Sequence, residues 1–130
     1  MEFPRALQDA IGFAGVREAR SAPGFIRIEF DGRPEFTHSR GAVVQGGIVA
    51  AWLDYAIAAA VSLHDPHVAF ASLDIKVSFL GRTGPGPSFA EGRVLKWGRS
   101  IAFLEAVLLS RTGELLATAS SSGKLAHPKG

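Results

Sequence analysis

No cysteine occurs in this chain, and methionine and tyrosine appear once each. Without cysteine there are no disulfides, no thiolate metal sites and no thiol nucleophile, which suits a reducing cytoplasm. Charge of one sign is scarce as well: 14 Lys and Arg against 12 Asp and Glu leave a formal net charge of +2, with a pI near 9.4. No basic run and no aromatic platform interleaved with basic residues occurs, so no nucleic-acid partner is expected. The opening residues, MEFPRALQDAIG, lack the apolar core of a secretory signal. There is no G-x-S-x-G elbow, and Gly84-Pro85-Gly86 lacks the Gly-Lys-Ser/Thr of a phosphate loop. His64, Asp65 and His67 gather ligand types, but Pro66 and the end of a helix there read as a plain loop. Neither a metal nor a cofactor is therefore expected.

What the chain does have is apolar bulk. At 130 residues, 47% hydrophobic and 20% charged, it is expected to form one domain over 1–130. So much apolar content at this length points to an oligomer. The longest run, Ala42 to Leu63, reads AVVQGGIVAAWLDYAIAAAVSL and carries one charge, Asp54. Its length would suit a membrane span, but the central Asp costs about 2.5–3.5 kcal/mol on insertion scales. Two adjacent glycines and the absence of a flanking Lys/Arg cluster also argue against a membrane. A helix apolar on every face is expected to be buried. A carboxylate there is costly unless it is hydrogen-bonded or held at a polar site. Chemistry is one reason to carry it, and a structural hydrogen bond within the core is the other. Gln45-Gly46-Gly47 opens the run, where the unpaired N–H groups of a helix start attract negative charge. An oxyanion donor and a carboxylate would thus share one element. Trp52 and Tyr55 beside Asp54 read as core or as the wall of a pocket.

Around this run, Leu7, Ala10, Ile11 and Ala14 predict a short amphipathic helix over about 4–16. A strand follows Pro23-Gly24, from Phe25 to the turn dipeptide Asp31-Gly32, and Glu35 to Gly41 reads as a polar loop. In Ser72 to Leu80, Leu73, Ile75, Val77 and Phe79 alternate with polar residues, predicting a half-buried strand. Further strands are expected at Phe89–Trp97, Ile101–Ser110 and 115–125, joined at Gly98-Arg99 and Thr112-Gly113. The expected architecture is α+β: one long helix wrapped by a curved antiparallel sheet.

The run Q-G-G-I-V-A-A-W-L-D-Y-A from Gln45, followed by A-S-L-D-I-K-V-S-F-L-G-R-T-G-P-G from Ala71, resembles the hotdog-fold acyl-CoA thioesterases. The branch it looks like is the phenylacetate-pathway (PaaI-like) group. That group has a His-Gly-Gly, an Asp eight residues after the first Gly, and a Ser or Thr about eighteen beyond the Asp. Here Gly46 to Asp54 is eight and Asp54 to Ser72 is eighteen. The resemblance covers roughly 20–125, the expected core. Gln45 stands for the family's His and Ser39 for its Asn, so the amide N–H donors and the hydroxyl remain available.

The resemblance implies hydrolysis of an acyl-CoA thioester with no cofactor, carrying an aromatic or medium-chain acyl group. The Gly46 N–H, beside Gly47, would stabilise the oxyanion. Asp54 would act as general base or as nucleophile. Ser72 would orient the water or the carboxylate, and Gln45 would contact the thioester carbonyl. Ser39 would line the substrate site. Arg82, Lys96 and Arg99, in or beside turns, are candidates to hold the coenzyme A phosphates. Eight helical residues, about 12 Å of axis, separate Gly46 from Asp54. If both act on one carbonyl they must come from different subunits. A homodimer or a dimer of dimers with shared active sites is therefore expected. A non-catalytic acyl-CoA-binding module and an acyl-CoA hydratase on the same fold are the alternatives.

Overall fold

The computed structural model describes residues 3–128. In chain order its elements are α1 (Arg5–Ile11), β1 (Phe13–Arg20), β2 (Phe25–Gly32), β3 (Thr37–His38), β4 (Val43–Val44), α2 (Gly46–His64), β5 (Ala69–Phe79), β6 (Gly86–Trp97), β7 (Ile101–Ser110) and β8 (Leu115–Ala126). Six strands form one antiparallel sheet in the order β1-β2-β6-β7-β8-β5, and β3 and β4 make a separate two-stranded ribbon.

Period-two alternation explains the central strands. Ile26, Ile28 and Phe30 on β2, Ala90 and Val94 on β6, and Ala102, Leu104, Ala106 and Leu108 on β7 all turn inward. The helix α2 lies across this face, chiefly against β6, with β2 and β7 beside it. The contact is close because β6 carries Gly92: a Cβ there would run into the Ala56 carbonyl oxygen. Trp52 stacks on Phe30 at 5.4 Å and donates its Nε1–H to the Ile11 carbonyl at 2.6 Å. That bond ties α1 to α2 across the core.

Several expectations change. The N-terminal helix stops at Ile11 rather than reaching residue 16, because Gly12 takes a left-handed conformation with φ 78°. Phe13–Arg20 is then a strand hydrogen-bonded to β2, a pairing that local helical spacing cannot announce. Asp31-Gly32 is not a turn, since β2 continues through it in register with Pro87 and Gly86. The loop at 35–41 contains a 3-10 turn, Pro34–Phe36, and β3. Val43 and Val44 belong to β4, so the helix begins only at Gly46.

The largest change concerns cover. The sheet encloses α2 on one side and not all round. Gly47 and Asp54 are exposed, and Ala51 and Ala58 between and beyond them are half-buried. On β5 the expected buried row is also open: Leu73 is 59% exposed, Phe79 57%, and Ile75 lies outside the core. β5 is the last strand of the sheet; of the expected row only Val77 packs against the core, and the Phe79 ring lies beside Gly46 at the start of α2.

Candidate active site

Where α2 begins, Gln45 sits at the N-cap position, and its carbonyl accepts from the N–H of Ile48 at 3.0 Å and of Val49 at 3.1 Å. The Gln45 N–H is spent on the Phe36 carbonyl at 2.8 Å, which anchors the turn; its side chain makes no capping bond. The Gly46 and Gly47 N–H groups have no acceptor among the described residues. They project from the positive end of a 19-residue helix, where an anion could accept from them. Glycine at 46 has a packing reason too. A Cβ would stand 3.1 Å from the Phe79 ring on β5, whereas Gly47 faces open space.

Two turns further along α2, Asp54 lies on the open stripe. Its carboxylate reaches solvent on one side, while apolar walls desolvate it enough to raise its pKa above 3.8. A hydrogen bond with the Ser72 side chain of β5 pulls the other way. The fold thus brings Asp54 and Ser72 together within one chain. Asp54 is a perturbed, accessible carboxylate rather than the enclosed core aspartate that the apolar run suggests. The helix offsets the cost of burial by turning it toward the uncovered side.

The walls around Asp54 come from an element to which no sequence motif assigns a role. Leu7 and Ile11 of α1 face Ala51, Tyr55 and Ala58 of α2 across a groove of about 180 Å³. The i, i+4 spacing of Leu7 and Ile11 is the one local signal for it. Trp52 proves to be core, fully enclosed, and Tyr55 is pocket wall.

The remaining candidates scatter. Ser39 lies in the β3–β4 turn with φ 56°, exposed, with its hydroxyl 2.9 Å from His38 Nδ1. Arg82 lies near the start of α2, where the Val44 N–H donates to the Thr83 carbonyl at 2.8 Å. It shares a polar cavity of about 290 Å³ with Ser110, Arg111, Thr112 and Glu114, none of which stands in a recognisable motif. Neither Arg82 nor Arg111 has a carboxylate partner within 4 Å among the described residues. Lys96 and Arg99 stand at the opposite end of β6, roughly 35 Å of strand away. One coenzyme A in one chain's site cannot engage all three. His64, expected in a loop, closes α2: its Nδ1 accepts the Gly24 N–H at 3.1 Å and its ring stacks on Trp97 at 4.2 Å.

Residues 41–117, which hold Gly46, Asp54 and Ser72, match the family model of the thioesterase superfamily. The chain belongs to that superfamily. A candidate esterase of Saccharolobus solfataricus is 26% identical over 98 residues, which is 75% of this chain and 65% of that relative. The chain thus aligns with just under two thirds of that relative's length. Among solved structures, a candidate thioesterase related to phenylacetic acid degradation from Ralstonia eutropha superposes with a TM-score of 0.82 at 26% identity. The superposition covers 95% of this chain and 92% of that one. A mutant form of the phenylacetic acid degradation protein PaaI from Thermus thermophilus gives 0.79 at 21% identity, over 92% and 97%. A long central helix against a curved antiparallel six-stranded sheet is the superfamily's hotdog fold.

Proposed function

We propose that the protein is an acyl-CoA thioesterase whose active sites are each completed by two chains. The observation that carries this reading is Asp54: a carboxylate with a raised pKa, beside a hydroxyl, in an apolar groove of a thioesterase-superfamily chain. In the proposed reaction, the thioester carbonyl oxygen lies against the Gly46 N–H, with Gln45 beside it. Asp54 of the other chain, oriented by Ser72, takes the proton of an attacking water, or attacks the carbonyl carbon itself. Collapse of the tetrahedral intermediate expels the coenzyme A thiolate, leaving the free acid in the first route and, in the second, an Asp54 anhydride that water then hydrolyses to the acid and the carboxylate. Ionised Asp54 is the working form in either route.

Two features support a second copy. Leu73, Ile75 and Phe79 leave apolar surface on an edge strand, which proteins ordinarily cover. The small residues Gly47, Ala51 and Ala58 along α2 would admit a close neighbour. Helices antiparallel across a two-fold axis would bring Gly46 of one chain toward Asp54 of the other. At the Gly46 end, Arg82 and Arg111 are the cations that could hold a coenzyme A phosphate.

Purified protein assayed against a panel of acyl-CoAs, with free thiol as the readout, tests the activity; no thiol release from any member would end the reading. Sharing is tested by mixing Asp54→Asn chains with Gly46→Pro chains, which lack the N–H. Each homodimer should be inactive. Random exchange makes half the dimers mixed, each with one intact site of two, so activity should return to about a quarter of wild type. Heterodimers that form and stay inactive would rule sharing out.

A further inference from the structure

The groove beside Asp54 is closed at one end by two rings. Phe3, just before α1, and Tyr55 of α2 lie 4.6 Å apart between centroids, tilted by 43°. Behind them is a second cavity of about 280 Å³, bounded by Gln8, Phe13, Val16, Ile26 and Leu63. The two cavities have only Phe3 and Tyr55 in common. Rings at that separation are in contact and leave no passage for an alkyl chain. Tyr55 is fixed: its Oη accepts from Gln8 Nε2 at 2.8 Å, and the rings of Phe13 and Phe30 flank it at 5.6 and 5.9 Å. Phe3 rests on the core from a segment outside any helix or strand.

The front groove, at about 180 Å³, suits one ring, since an apolar cavity of about 150 Å³ accommodates benzene. Its lining is apolar apart from Asp54 and the Tyr55 hydroxyl. A thioester whose carbonyl is presented to Asp54 has this groove as the apolar space next to its acyl carbon. We propose that the acyl group lodges between α1 and α2, and that the Phe3–Tyr55 pair ends the pocket, selecting compact acyl groups of about one aromatic ring over long chains. This rests on the thioesterase reading; it decides between the aromatic and medium-chain acyl groups expected above and names the residues that set the choice.

The test compares kcat/KM for acetyl-, benzoyl- and decanoyl-CoA in wild type, Phe3→Ala and Ala58→Leu. Wild type should prefer benzoyl to decanoyl. Phe3→Ala, which joins the two cavities, should raise the decanoyl-to-benzoyl ratio at least about tenfold. Ala58→Leu, a helix-compatible change that fills the front groove, should lower the benzoyl-to-acetyl ratio at least about tenfold. Should Phe3→Ala fail to fold, Ala58→Leu decides alone. If the wild type hydrolyses these thioesters but a folded variant leaves its ratio unmoved, the pocket assignment fails and the thioesterase reading stands. Release of no thiol from any of the three overturns the pocket assignment, and release of none from the wider panel overturns the thioesterase reading with it.

Discussion

On one side of α2, Trp52, Leu53, Ala56 and Ile57 are fully enclosed against the sheet, while on the other Gly47, Ala51, Asp54 and Ala58 remain wholly or partly open. Both sides are apolar by composition apart from one carboxylate, so polarity does not separate them; side-chain size does. Large residues fill the space above the sheet, where the Phe30 ring receives Trp52, and Gly92 lets the helix backbone at Ala56 come close. Small residues leave room above the other side, where Asp54 and its groove lie. An evenly apolar helix therefore need not be evenly buried by its own chain.

The enclosed side offers the largest effect. Trp52→Ala removes the stack on Phe30 and the bond to the Ile11 carbonyl, and should cost about 3–5 kcal/mol in denaturant unfolding. A loss comparable to that of an Ala51→Ser change would abolish the distinction between the two sides. On the open side, Asp54→Asn should leave the fold intact and lower thioester turnover by at least about a hundredfold. Near wild-type turnover would remove Asp54 from the chemistry and make it a structural residue.

The Ser72 contact permits a finer division. Because its hydrogen bond lowers a pKa that burial raises, Ser72→Ala should shift the acid limb of the kcat/KM profile to higher pH. Folding should change little, as alanine costs little at an exposed strand position. An unmoved limb with an unchanged rate would separate Ser72 from Asp54. The smallest effect is on stability. The Asp54 pKa is higher in the folded protein than the ordinary 3.8, so the native state holds that proton more tightly and ionisation disfavours folding as pH rises through this window. Asp54→Asn should accordingly melt slightly higher than wild type at neutral pH, with the advantage vanishing below about pH 3.8. A lower Tm at neutral pH would mean that the carboxylate stabilises the open side.

Much of this architecture is legible in local patterns of residues. The strands Phe89–Trp97 and Ile101–Ser110 emerge within a few residues of their observed bounds, because alternation on a half-covered sheet is a local signal. The same rule misleads at β5. The alternation of Leu73, Ile75, Val77 and Phe79 is real, but only Val77 packs against the core, and the other three stay exposed. Strand β1 escapes the rule because Ala14 extends the helical stripe of Leu7, Ala10 and Ile11, and its identity rests on pairing with β2. At the site, Gly46, Asp54 and Ser72 stand out by spacing, whereas Arg111 has no local motif to distinguish it.

The sequence alone determined that a single carboxylate would interrupt one long apolar helix, that glycines would open that helix, and that antiparallel strands would follow it. These are properties of neighbouring residues, governed by periodicity and by the conformational freedom of glycine. Tertiary structure alone decided which side of α2 stays open and which cations share an end of the sheet. It also decided that α1 would wall the groove beside Asp54. Those outcomes depend on contacts between residues far apart in the chain, such as Gln8 with Tyr55 and Trp52 with Ile11, 47 and 41 positions apart. No local pattern encodes such a contact, because its free energy exists only once the intervening chain has folded.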